Sequence, residues 1–155
     1  MLGNVIRKIL FGLVILLAVV QFIRPEKNLG AAAGPNELGV KHPVPAEVQK
    51  LLQRACYDCH SNRTQYPWYA EIQPLGWWLA YHVNDGKRHL NFSEFGTYTM
   101  KRSVSKLEQI SDEVSQQAMP LPSYKWGHPE ARLAPAEIKQ LTDWADNLHD
   151  EIAPN

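Results

Sequence analysis

Two cysteines three residues apart and the histidine that follows them are the residues of this chain best suited to chemistry: Cys56, Cys59 and His60. Residues i and i+3 lie on one face of a helix, about one turn apart, so both thiols can form thioethers with the two vinyl groups of one haem. His60 follows Cys56 by four residues on that face and can bind the iron as the proximal ligand. This Cys-x-x-Cys-His pattern is the attachment signature of a c-type haem, and it predicts one covalently bound haem c.

Two other uses of a Cys-x-x-Cys pair fit the chain less well. A thioredoxin-like redox pair is expected in a βαβ context, and the sequence shows none. A zinc site needs a further pair of cysteines or histidines at short spacing. The chain has only two cysteines and no histidines four residues apart, so neither a second zinc-binding pair nor a disulfide framework can be built.

The second iron ligand must be a methionine or histidine elsewhere in the chain. Met119 is favoured, because it lies on a proline-stiffened segment 59 residues after His60. Its thioether is a soft ligand, and Met/His ligation raises the potential of a haem. A core methionine that merely fills a gap is the competing interpretation. His82 and His89 are the next candidates, and an open five-coordinate site is a further alternative. Less favoured are Met100, His42, His128 and His149.

The elements that must position these residues are all predicted to be helical. A helix from Pro45 carries an apolar stripe that ends in the Cys-x-x-Cys-His motif. A second begins near Pro74 and runs through Val83. A third starts at the capping-box pattern Ser105-x-x-Glu108, after an irregular stretch over 91–102, and a last helix follows Pro135. The predicted class is all-α: a cytochrome c-like bundle of about four short helices around one covalent haem, which supplies much of the apolar core.

The first 24 residues are predicted to be a transmembrane or signal-anchor segment. Arg7 and Lys8 precede an uncharged run over 9–23. A cleaved signal peptide is the alternative, with the alanines at 31–33 as its small-residue cleavage site. The charged residues between the run and these alanines favour an uncleaved anchor. Residues 25–44, rich in proline and glycine, are predicted to be a linker, and residues 45–155 the haem-binding domain.

The charge balance argues against a nucleic-acid partner. The formal net charge is zero, and beyond residue 24 there are 13 Lys and Arg against 16 Asp and Glu. No basic stripe is present, as nucleic-acid binding would require. No catalytic triad or paired-carboxylate site can be assembled either, so no catalytic residues are assigned and an electron carrier is favoured over an enzyme.

Several separated blocks of the chain resemble the bacterial haem-binding domain family of small monohaem, c-type cytochrome-like proteins. The hydrophobic N-terminal segment ends in a phrase, Gln21–Pro25, that is typical of its members. The matching blocks are Cys56–Asn62, Tyr66–Tyr69, His89–Glu94, Met119–Tyr124 and His128–Leu133. The resemblance implies one haem attached at Cys56 and Cys59, His60 as axial ligand, and Met119, within the Met-Pro block, as the second.

These observations lead to one expectation about function and two alternatives. We expect a monohaem c-type cytochrome, held in the bacterial inner membrane by a single N-terminal anchor, with its haem domain in the periplasm. It would carry single electrons between redox partner proteins. The alternatives are a haem-based gas or redox sensor and a peroxidase-like enzyme, both of which need an open or displaceable sixth ligand. In the peroxidase, His82 or His89 would be the distal acid/base.

Overall fold

Helices form nearly all the regular structure of the chain in this computed structural model, which describes residues 2–31 and 33–153. Over these residues no strand forms, and Leu29 and Arg63 make an isolated β-bridge. The all-α prediction is therefore confirmed. Ala32, part of the alternative cleavage site, lies outside the described residues. The α-helices are α1 (Leu2–Val20), α2 (Leu38–Lys41), α3 (Ala46–Ala55), α4 (Tyr57–His60), α5 (Leu75–His89), α6 (Met100–Ser115), α7 (Pro122–Gly127) and α8 (Pro135–Ile152). Three short 3-10 helices join them: Trp68–Glu71, Phe92–Thr97 and Pro129–Ala131.

The hydrophobic core is built where α6 packs along α8 and α8 meets α3. Each of these helices places apolar residues three or four positions apart, so one face of each is buried. Phe92 and Phe95, from the 3-10 helix before α6, complete the core. The buried residues of the three helices are Val48, Leu51, Leu52, Leu107, Ile110, Val114, Leu141, Trp144, Ala145 and Leu148.

The third predicted helix begins earlier than its sequence pattern indicated. α6 starts at Met100, and the Thr99 hydroxyl caps it by accepting a hydrogen bond from the backbone N–H of Arg102 at 3.3 Å. Ser105 lies inside the helix, where its hydroxyl accepts from the side chain of Gln109. The predicted helix start at Ser105 is therefore wrong, because Thr99 offers an N-cap more than one turn upstream. The stretch predicted to be irregular, 91–102, contains the 3-10 helix Phe92–Thr97, and only its last three residues belong to α6.

α5 is longer than predicted and ends at His89 instead of near Val83. Its second half is polar on the outside, which hides the apolar periodicity. Lys87, Arg88 and His89 occupy its last turn, where basic side chains are favourable next to the negative end of the helix dipole. The added turns carry His89 and Leu90 to the site described below.

The N-terminal helix α1 is apolar, and over Gly3–Val20 none of it is buried against the rest of the chain. Gly3–Val20 is long and apolar enough to cross a membrane, and a signal sequence has the same features. Residues after α1 contact the rest of the domain at several points. The backbone N–H of Gly30 donates to the carbonyl of Asn62 at 2.8 Å, and Leu38 is completely buried. The domain boundary at Pro45 stays a prediction, while these earlier residues pack on the domain.

Candidate functional site

The Cys-x-x-Cys-His motif forms a helical turn of its own at the end of α3. The backbone breaks at Cys56, with φ −128° and ψ −40°, and α4 resumes at the next residue. The backbone N–H of His60 still donates to the carbonyl of Cys56 at 2.9 Å, as in an α-helix. The motif therefore keeps one-turn spacing, and both cysteines and His60 line the same cleft.

This cleft is open to solvent and has a volume of about 290 Å³. α4, α5, α6 and the segment 119–124 form its walls. The apolar side chains that line it are Ala55, Leu90, Phe92, Ile110, Val114, Met119, Pro120 and Leu121. A mostly apolar cleft with a few convergent polar groups is the usual form of a cofactor site.

His60 is fixed in the form that can bind a metal. Its Nδ1–H donates to the carbonyl of Leu90 at 3.0 Å, which leaves the lone pair of Nε2 available. The ring also meets Phe92 edge to face, with centroids 6.4 Å apart. Burial lowers the pKa of His60 and so favours the neutral imidazole, which is the ligand form.

Both cysteines are free thiols in a poorly solvated position. Burial, and to a smaller extent the charge of the neighbouring Cys59, raises the pKa of Cys56 to about 12. Burial and the charge of Asp58 raise the pKa of Cys59 to about 11. The side chains thus line the cleft as neutral thiols, one turn apart, beside a neutral imidazole. This set of groups fits a haem held by two thioether bonds and one imidazole.

The three leading candidates for the second ligand all line the cleft: Met119, His82 and His89. The backbone N–H of Met119 donates to the carbonyl of Glu113 at 3.1 Å, which ties its segment to the end of α6. The ring of His82 meets Trp78 edge to face at 4.5 Å. His89 is mostly exposed, and its Nδ1 donates to the carbonyl of Asp85 at 2.9 Å. The less favoured Met100, His42, His128 and His149 lie outside the cleft lining.

A hydrogen bond that sequence reasoning missed ties the motif to the segment after Met119. The Tyr124 hydroxyl donates to Oδ2 of Asp58 at 2.8 Å, and the backbone N–H of Gln65 donates to Oδ1 at 2.9 Å. Burial and the charge of Asp58 raise the pKa of Tyr124, so it keeps its proton. The sequence does show an acidic residue, Asp58, between the two cysteines, but its partner Tyr124 lies 66 residues away, so the bond could not be predicted.

A second missed feature is the close approach of α5 to α4 at Gly86. A Cβ at this position would lie 2.6 Å from the carbonyl oxygen of Cys59. Only a glycine lets α5 pass this close, and the approach places His82 and His89 at the cleft. The sequence alone shows a glycine in a helical pattern, which without the partner helix indicates only a weaker helix. Lys106, on α6, is likewise a cleft residue that sequence reasoning did not single out.

The comparison with protein families agrees with this geometry. The family described as "Haem-binding domain" matches residues 15–147, which include every residue of the cleft. No curated protein and no solved structure matches the chain. The match covers most of the chain, and the cleft residues suit the cofactor for which the family is described. The chain belongs to the haem-binding domain family, and its cofactor is haem.

Proposed function

We propose that this protein is a monohaem c-type cytochrome that carries single electrons between redox partner proteins. Cys56 and Cys59 hold the haem by thioether bonds, and His60 and Met119 bind its iron. The observation that supports the proposal is the convergence of both thiols, a neutral imidazole and a methionine on one cleft. Haem supplies reversible one-electron exchange at its iron, and Met/His ligation is typical of electron-carrying cytochromes.

Each residue has a distinct part in this arrangement. The Leu90 carbonyl orients His60 and increases the basicity of its ligating nitrogen. Met119 offers a soft sulfur from a segment that is held at both ends, by Glu113 before it and by Asp58 through Tyr124 after it. A ligand held at both ends moves little when the iron changes charge, which favours fast electron transfer.

The proposed location is the inner membrane of a bacterium, with the haem domain in the periplasm and α1 as an uncleaved anchor. The exposed apolar helix and the two basic residues before its apolar run support it, since positive charge stays on the cytoplasmic side. The mass of the protein extracted from the membrane fraction tests it. A mature chain that starts near residue 34 would show that the N-terminal segment is cleaved and would contradict an uncleaved anchor.

Covalent attachment has its own test. After denaturation in acid and organic solvent, the wild-type polypeptide should carry the mass of one haem. The Cys56→Ser/Cys59→Ser variant should release its haem under the same treatment. Extraction of all haem from the wild type would contradict attachment through these residues.

The absorption spectrum of the oxidised protein tests Met119 as the second ligand. The wild type should show the methionine–iron charge-transfer band near the red end of the visible spectrum, and Met119→Ala should lose it. His82→Ala and His89→Ala are matched controls from the same cleft and should retain the band. A band that persists in Met119→Ala would show that the ligand lies elsewhere.

A sensor or a peroxidase is the second candidate function, because two histidines also line the cleft. Both need an iron with an open or exchangeable position. Carbon monoxide should bind slowly to the reduced wild type and faster to Met119→Ala if Met119 occupies that position. Fast binding to the wild type, or rapid peroxide turnover that falls in His82→Ala or His89→Ala, would favour the second candidate.

A further inference from the structure

Large apolar side chains are exposed at the start of α5 and just before it. Ile72, Leu75 and Trp78 are 43%, 46% and 44% exposed. Phe22 and Ile23, directly after α1, are exposed as well. We call these five residues the apolar patch. Clustered exposed apolar residues on a protein mark an interaction surface, whereas single ones do not.

Hydrogen bonds place this patch at the end of the membrane-spanning candidate α1. Gln21, the residue after α1, donates from Nε2 to the carbonyl of Gln73 at 3.1 Å, and its Oε1 accepts from the backbone N–H of Gln73 at 2.9 Å. The indole N–H of Trp77 donates to the carbonyl of Ile23 at 2.7 Å. Because these bonds hold the two segments together, Phe22 and Ile23 extend the exposed apolar run of α1 up to the start of α5.

The charges next to the patch are compatible with an apolar, interfacial neighbour. The Glu71 carboxylate accepts from Arg24 at 2.7 Å and also pairs with Lys27. With Glu26 beside them, two acidic and two basic residues balance at this place. Further along α5 the exposed residues become polar, with Asn84 and Arg88. The apolar surface thus ends within about three turns of the helix.

We propose that the apolar patch is seated in the lipid interface at the far end of α1, so that the haem domain lies against the bilayer. The proposal rests on the anchoring role proposed for α1. The continuity of the patch with α1 identifies lipid as its occupant. Tryptophan is enriched where a protein meets the headgroup region, since its ring is apolar and its N–H is polar. Trp78 and Leu75 are the residues that enter the lipid.

Photo-crosslinking in the haem-loaded full chain tests this seating. The photoreactive residue p-benzoylphenylalanine is introduced as Trp78→p-benzoylphenylalanine or Leu75→p-benzoylphenylalanine, and the chain is reconstituted in vesicles of phosphatidylethanolamine and phosphatidylglycerol. The matched controls are Trp126→p-benzoylphenylalanine, at an exposed tryptophan on α7, and Arg88→p-benzoylphenylalanine, on the polar half of α5. An unchanged haem spectrum confirms that each variant is folded. Lipid adducts at 75 and 78 should exceed those at 88 and 126 several-fold.

The outcomes of this experiment distinguish contact of the apolar patch with lipid from anchoring by α1. Flotation of the chain with the vesicles, together with equal lipid adducts at 78 and 126, would overturn the seating and leave the anchor intact. A chain that does not float with the vesicles would overturn both. Adducts at 78 between two copies of the chain, in place of lipid adducts, would show that the patch is a dimer interface and would also overturn the proposal.

Discussion

The Nδ1–H of His60 donates to the Leu90 carbonyl, and under the proposed function Nε2 of the same ring binds the haem iron. Only the second of these two roles can be predicted from the sequence. The Cys-x-x-Cys-His spacing predicts that His60 shares a surface with both thiols, because that relation lies within one helical turn. The donation of Nδ1–H to Leu90 could not be predicted, since the two residues are 30 positions apart and no pattern joins them. The hydrogen bond between Asp58 and Tyr124 could not be predicted for the same reason. Motif chemistry is local, whereas its orientation comes from the packing of distant segments.

The thiols of the haem-free chain should react slowly with iodoacetamide at pH 8. The reaction needs a thiolate, and burial raises the pKa of Cys56 to about 12 and that of Cys59 to about 11. Unfolding in urea should accelerate alkylation by at least on the order of a hundredfold, because an exposed cysteine has a pKa near 8.5. Mass spectrometry of timed samples in a reducing buffer gives the rates.

Cys56→Ser is the matched variant for this measurement. The remaining Cys59 should be alkylated faster than the remaining Cys56 in Cys59→Ser, in line with its lower pKa. Equal rates with and without urea would mean that the haem-free chain does not hold the thiols in the buried position described.

Tyr124→Phe should destabilise the domain by about 1–2 kcal/mol. The change removes a hydroxyl that donates to the Asp58 carboxylate at 2.8 Å and leaves the ring in place. Urea unfolding of the haem-loaded protein measures the change. Tyr69→Phe is the control, since its hydroxyl lies 3.5 Å from Nε2 of His128 and contributes a weaker bond. An equal loss in both variants would argue against a special role for the Asp58–Tyr124 bond.

The helices themselves were easier to predict than the way they meet. α8 begins at Pro135 and ends at Ile152, as its apolar spacing indicates, because its stripe packs along α6 and also meets α3. α6 was placed five residues late, since a capping pattern inside the helix competed with the true cap at Thr99. The contact of α5 with α4 could not be predicted at all. It depends on the missing side chain of Gly86, which is meaningful only once Cys59 is known to lie opposite.

Gly86→Ala should push α5 away from the Cys-x-x-Cys-His turn. The added methyl group would lie 2.6 Å from the backbone oxygen of Cys59, which cannot move without moving the turn. The free energy of unfolding should fall by about 1–3 kcal/mol, as for other overpacked positions. Thermal or urea unfolding measures it, with the haem spectrum as a second signal.

The control for this variant is Gly39→Ala, on the short helix α2. There the nearest atom to an added Cβ is the side-chain oxygen of Gln49 at 3.6 Å, an ordinary contact. Its stability should be nearly unchanged. A Gly86→Ala protein as stable as Gly39→Ala would show that α5 and α4 can separate without cost.

For the whole molecule, the decisive feature is how α1 is joined to the haem domain. The composition of residues 25–44 predicts a linker. No local pattern in the sequence reveals that the residues directly after α1 are bonded to the haem domain. The structure adds the Gln21–Gln73 and Ile23–Trp77 bonds and the pairing of Arg24 and Lys27 with Glu71. Asn28 continues this contact through its side chain, which donates to the carbonyl of Ser61 and to Oγ1 of Thr64, both at 2.9 Å.

Tyr66→Phe should make the peptide bond between Lys27 and Asn28 more sensitive to cleavage by trypsin. The amide N–H of that bond donates to the Tyr66 hydroxyl at 2.7 Å, so the loss of the hydroxyl frees the segment to open. A loss of about 1 kcal/mol corresponds to roughly fivefold faster cleavage. The ring remains near Lys27, 5.4 Å from its ammonium group.

Tyr81→Phe is the matched control, because Tyr81 is a largely exposed tyrosine of the same domain. It should leave the cleavage rate at Lys27 unchanged, as read from the time course of the fragment by mass spectrometry. Cleavage of the wild type as fast as that of Tyr66→Phe would show that this segment is already open in solution.

Under the proposed function, the pair of bonds between Gln21 and Gln73 has a consequence for how electrons would reach the haem. A free tether of twenty residues would let the domain wander over roughly 25 Å and swing toward its partners. A domain fastened at the first residue after α1 would swing less, so under the proposed anchoring its cleft would keep a narrow range of heights and tilts above the membrane. The proposed redox partners would then have to come to it. One that lies in the same membrane would arrive by sideways diffusion in two dimensions, and only at the side of the domain where the cleft opens.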